Sequence, residues 1–157
     1  MWQSFTTIIL AGIGAFIANF AAKYIESWVR RNQLIEAQRD ADLQDIFGTI
    51  TQICDLSEKF WPLSAEALGS QDQILRSHIV ALQHHLAELV AEVFTGKDKW
   101  DCDVQLHKLM MAATGGDFGE PDREAEAGRL TEIFIASRAL NRSTKKARRK
   151  LPRRFLS

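Results

Sequence analysis

From Phe5 to Ala22 the chain reads FTTIILAGIGAFIANFAA, 18 positions without a charged side chain. At about 1.5 Å per helical residue such a run spans roughly 27 Å, close to the ~30 Å hydrocarbon core of a bilayer. Its polar members, Thr6, Thr7 and Asn19, lie near the ends, where polarity costs least. Trp2 precedes the run and Tyr24 and Trp28 follow it, as amphipathic rings do at the two headgroup regions. The pattern predicts a transmembrane helix over residues 5–22. A cleaved signal peptide would carry a positive flank, and residues 1–4 have none. A buried core helix would show a polar face, and this segment shows none.

No proline or glycine falls between Ala15 and Phe47, so the span is expected to continue as one helix. Leu34 and Ile35, then Leu43, Ile46, Phe47, Ile50, Ile53 and Cys54, recur at helical spacing. Residues 36–45 are mostly charged or amide and read as a solvated stalk, and Pro62 stops the helix. A second helix follows. Ser70 with Gln73 forms a capping-box pattern. Leu75, Ile79, Leu82, Leu86, Leu89 and Val93 then make a heptad-like seam suited to a bundle or coiled coil. Gly96 is expected to end it.

A third helix is expected from near Asp101, carrying Val104, Leu106, Leu109, Met110 and Met111. Residues 114–122, TGGDFGEPD, form a loop, with Pro121 in the first turn of a fourth helix. That helix would bury Leu130, Ile133, Phe134, Ser137 and Leu140. No segment alternates with period two. The expected fold is therefore all-α: a single N-terminal transmembrane helix, a cytoplasmic bundle of three to four helices, and a basic C-terminal tail. The parse is 1–4 flank, 5–22 span, 23–45 stalk, 46–140 bundle and 141–157 tail.

Charge sharpens this picture. Residues 138–157 hold nine Lys or Arg and no acid, so the formal net charge of zero hides a body of −9. Lys23, Arg30 and Arg31 follow the span and nothing basic precedes it, which predicts the N-terminus outside and residues 23–157 in the cytoplasm. A bacterial inner membrane is the expected home. Inside the span Ala11, Gly14, Ala15, Ala18 and Ala22 allow close approach of another helix, so a homo-oligomer is expected. In the tail, Lys145, Lys146, Arg148, Arg149, Lys150, Arg153 and Arg154 attract polyanions. Anionic lipid is favoured, and nucleic acid comes second.

Candidate chemistry is sparse. Cys54 and Cys102 are expected to be free, buried thiols. His78, His85 and Glu88, with Cys102 or His107, are the nearest approach to a metal set, but HExxH and CxxC are absent. Nucleotide-binding and nucleophile-elbow fingerprints are also absent. No cofactor, metal, small-molecule substrate or enzymatic activity is expected. The leading expectation is a membrane-anchored interaction protein that oligomerises and engages a cytoplasmic protein partner. A membrane-disrupting effector of the pore-forming, defence type, gated by the bundle, and a bundle metal protein or enzyme are the alternatives.

Overall fold

A computed structural model of the chain describes the backbone of residues 2–150 and the side chains of residues 23–149. Among these residues it consists of helices, with no strand: α1 (Trp2–Phe60), α2 (Ala65–Leu68), α3 (Ser70–Val93), α4 (Gly96–Thr114) and α5 (Arg129–Lys150), with a 3-10 turn at Gly116–Gly119. No helix among the described residues is long and apolar enough to cross a membrane. The stretch 5–22, with Ala11, Gly14, Ala15, Ala18 and Ala22, lies outside the residues whose side chains are described. The chain divides between Arg39 and Asp40 into two compact units.

The second unit is an all-helical bundle. Along α1, Leu43, Ile46, Ile50, Ile53, Ser57 and Phe60 are buried, at steps of three and four that place them on one face. In α3, Ile79 and Leu86 of the heptad seam are buried, while Leu75, Leu82, Leu89 and Val93 pack against the same core from its edges. Leu106 and Leu109 of α4 and Ile133 and Leu140 of α5 complete it.

Side-chain pairs give the topology. Gln83 reaches Met110 and Thr114 from α3 to α4. Cys102 meets Ser143, and Arg129 meets Gly115, from α4 to α5. Lys145 stands over Phe47 and Arg148 reaches Asp40, from α5 back to α1. Within each of the last two pairs of helices the numbers rise on one as they fall on the other. Phe94 and Thr95 alone join α3 to α4, a longer segment over 115–128 joins α4 to α5, and the four long helices run up, down, up and down.

Several expectations change. Ser70 is the first residue of α3 and not its cap. Gly69 precedes it at φ 53° with no side-chain cap bond. The capping side chain is Ser64, whose hydroxyl accepts from the Ala67 amide at 3.2 Å to start α2. Gly96 does not close α3 but opens α4 at φ 59°, a left-handed turn after Phe94 and Thr95. Helix α4 thus starts earlier than Asp101.

Pro121 is not in α5, which begins only at Arg129. The chain between them is held by cross-links that a helix could not make: Ala65 N–H to Arg123 C=O at 2.9 Å, and Glu126 N–H to Trp61 C=O at 2.7 Å. Phe134 is 39% exposed, not buried, and Val104 and Met111 also turn outward. Finally, the segment read as a tail from residue 141 is helical as far as Lys150, with Thr144 and Ala147 buried one and two turns beyond Leu140.

Candidate functional site

At the end of the bundle where α1 stops, Phe60, Trp61 and Phe118 pack ring to ring, with centroids 5.0 to 6.2 Å apart. Arg123 enters this cluster with its side chain only 1% exposed. Its guanidinium stacks 3.8 Å from the Phe60 ring centroid. It donates to Leu63 C=O at 2.8 Å, to Glu124 C=O at 3.2 Å and to Asp72 at 3.2 Å. Asp72 also pairs with Arg76, which donates onward to Glu120 C=O at 2.9 Å.

Beside it Arg129 lies 4.2 Å from the Trp61 ring centroid and donates to Gly115 C=O at 3.0 Å, while Trp61 Nε1–H donates to Ala113 C=O at 3.2 Å. Gly116 sits at φ 58°, a conformation that favours glycine, and the tip of the Arg129 side chain lies against the space a Cβ would take. Most of these polar groups bond neighbouring backbone or each other, although Arg123 Nε and Arg76 Nε are buried without a hydrogen-bond partner among the described residues. The cluster clasps two loops. No periodic pattern flags an arginine inside an irregular loop. Asp72 in the first turn of a helix was the one visible hint.

The candidate nucleophiles are equally enclosed. Cys54 and Cys102 are both free and buried. Burial raises the Cys54 thiol above its ordinary value, with Asp55 and Glu58 adding to the rise and a hydrogen bond with Ser137 opposing it. Cys102, 3.7 Å from Ser143 Oγ, is raised for the same leading reason, with Asp103, Asp101 and Asp98 adding. Both thiols are thus poor nucleophiles at neutral pH. His78, His84, His85 and His107 are exposed. Among the described residues no group of three His, Cys, Asp or Glu side chains converges as a metal site.

What remains is a surface. On the outer side of α4 and α5, Trp100 is 68% exposed, Met111 56% and Ile135 66%, with Val104 between the first two. Trp100, Val104 and Met111 fall at steps of four and seven on one face of α4. A cleft of about 490 Å³ opens between the two helices, lined among others by Lys108, Met111, Glu132, Ile135 and Ala139.

Along α5, Ile135, Arg138, Arg142, Lys146 and Arg149 are exposed at steps of three and four, one stripe of four cations beside the apolar one. Of the polyanion-contact candidates, Lys146 and Arg149 thus join that stripe. Lys145 leans over the Phe47 ring at 5.2 Å and Arg148 pairs with Asp40 at 3.0 Å, so these two also hold the bundle together. The side chains of Lys150, Arg153 and Arg154 lie outside the described residues. Compared with models of known families, with curated proteins and with solved structures, the chain matches none.

Proposed function

We propose that this is a single-pass membrane-anchored interaction protein whose bundle engages a cytoplasmic protein partner. The observation that carries the reading is the 18-residue uncharged stretch 5–22, bounded by Trp2 on one side and Tyr24 and Trp28 on the other. Its backbone belongs to the same helix, α1, that enters the bundle. Lys23, Arg30 and Arg31 keep the following segment on the cytoplasmic side. The chain self-associates through its membrane segment, where Ala11, Gly14, Ala15, Ala18 and Ala22 permit close packing.

The partner takes the apolar stripe Trp100, Val104, Met111 and Ile135. Such residues, exposed together beside a cleft, are the ordinary mark of a protein-binding face. Lys146, Arg149 and the basic residues that follow contact anionic lipid, each contributing roughly 1 kcal/mol near a charged leaflet.

Fractionation of cells expressing the full chain with a C-terminal tag tests the anchor. The expected result is a carbonate-resistant protein whose tag is protected from protease added outside the cell. A chain released by carbonate, or a tag cut from outside, would overturn the anchor or its orientation respectively.

A further inference from the structure

The outer side of α4 and α5 is a cleft between two unlike ridges. On α4, Trp100, Val104 and Met111 form an apolar ridge, with Trp100 68% and Met111 56% exposed. On α5 the ridge opens with Ile135, 66% exposed, and turns basic at Arg138 and Arg142. Ala112, Ala136 and Ala139 line the cleft between them and are buried or half-buried, while Lys108 and Glu132 are exposed at its sides. Three alanines let another helix approach to the roughly 8–10 Å at which helix axes pack. From Trp100 to Met111 the apolar ridge runs about 16 Å, some three turns of helix.

The register of the two helices gives the cleft a direction. Cys102 meets Ser143 and Arg129 meets Gly115, so Met111 lies within a turn of Ile135 and Val104 within a turn of Arg142. One end is thus apolar with Glu132 beside it, and the other carries the two arginines. The acids of α4 at that basic end are Asp98, Asp101 and Asp103. Lys99 holds Asp103 at 2.6 Å, Asp98 is engaged within the chain, and Asp101 is half-buried. An occupant therefore meets arginine there. An anionic bilayer would face Glu132 with like charge and would leave the concave alanine floor unfilled, whereas a helix fills it.

We propose that this cleft takes one amphipathic helix of a partner protein, about three turns long, with an apolar stripe on Trp100, Val104, Met111 and Ile135 and acidic residues facing Arg138 and Arg142. This names the class of the partner and rests on the reading of the bundle as a protein-engaging domain. The acids fall in the C-terminal half of that helix, because cations favour the negative end of the helix macrodipole, so the helix runs parallel to α5. Glu132 faces its N-terminal turn, the positive end.

A display library of helical peptides of about 14 residues tests this, with a fixed leucine stripe and Glu or Lys at every other position. It is panned on the full chain in phosphatidylcholine nanodiscs. Selected clones should carry Glu in their C-terminal half, and Arg138→Glu with Arg142→Glu should weaken their binding at least about tenfold. The same double substitution should select Lys clones in their place. Ala139→Trp, which fills the floor, should weaken both sets. Arg138 and Arg142 are exposed, so the charge reversal reads binding and not folding, whatever Ala139→Trp does to the bundle. Selection without a charge preference, or a preference that the reversal leaves unchanged, would overturn the acidic helix.

A fluorophore on Gln105→Cys, in a Cys54→Ala, Cys102→Ala background, should shift to the blue on adding a selected peptide. It should not shift when phosphatidylglycerol replaces phosphatidylcholine. A blue shift with phosphatidylglycerol alone would give the face to the membrane and overturn the partner helix. A photo-cross-linker at Val104 in expressing cells separates the two ideas. A cross-linked protein without charge preference in the library sinks the acidic helix and leaves the interaction reading. Selected acidic peptides without any cross-linked protein do the reverse.

Discussion

Arg123 concentrates in one side chain what holds the loop end of the bundle together. Its guanidinium has three acceptors on three segments, the Leu63 carbonyl, the Glu124 carbonyl and Asp72, and an aromatic ring beneath it. Removing it takes the donor from the part-buried Leu63 carbonyl and leaves the buried Asp72 with Arg76 alone. The cost of breaking a buried pair of this kind is about 3–5 kcal/mol. Arg123→Met should therefore lower the urea midpoint of the full chain by an amount of that order. Arg123→Lys should recover less than half of it, because an ammonium cannot span the same acceptors. A loss below about 1 kcal/mol, the level of a surface pair, would show that the clasp is not structural. None of this was legible in the sequence. Arg123 sits in a segment with no period, and its partners are dozens of positions away, so nothing local singles it out from exposed arginines.

Helices behave differently, because their evidence is local. Pro62 after Phe60 and Trp61, the seam from Leu75 to Val93 and the glycines at 115 and 116 each mark a helix body or end through short-range chemistry, and the helices lie where those signals put them. The errors fall where tertiary bonds override such signals. Pro121 was a reasonable helix start, yet the backbone after it is committed to Trp61 and Ala65.

The basic segment misled for another reason: a run of lysine and arginine resembles a solvated tail unless the small residues between the charges are noticed. Ser137, Leu140, Thr144 and Ala147 keep a buried line at steps of three, four and three through the charged half of α5. A chain ending at Leu140 loses Thr144, Ala147, the Lys145 cover on Phe47 and the Arg148–Asp40 pair. It should lose about 3 kcal/mol or more of stability, or its cooperative transition altogether. Unchanged stability after this truncation, read from circular dichroism during urea unfolding, would return the segment to the status of a tail.

For the bundle as a whole, the core and the candidate face make opposite demands on apolar residues. Ile79, Leu86, Leu109, Ile133 and Leu140 are sealed inside, and each contributes through burial. Trp100, Met111 and Ile135 contribute little in that way, since more than half of each already meets water in the free bundle. If the stripe serves a partner, its residues are dispensable for folding and indispensable for binding, whereas misplaced core residues would show the reverse.

The triple substitution Trp100→Gln, Met111→Gln, Ile135→Gln separates the cases. Its unfolding free energy should stay within about 1 kcal/mol of the unsubstituted chain, the range expected for surface changes. The cross-linked species formed in cells with a protein partner should disappear. High salt should weaken the same cross-link in the unsubstituted chain, because Arg138 and Arg142 border the stripe and their attraction to an acidic partner is screened at about 10 Å in 0.1 M salt. A stability loss above about 2 kcal/mol would instead assign the stripe to the core, and an unchanged cross-link would move the partner to another face of the bundle.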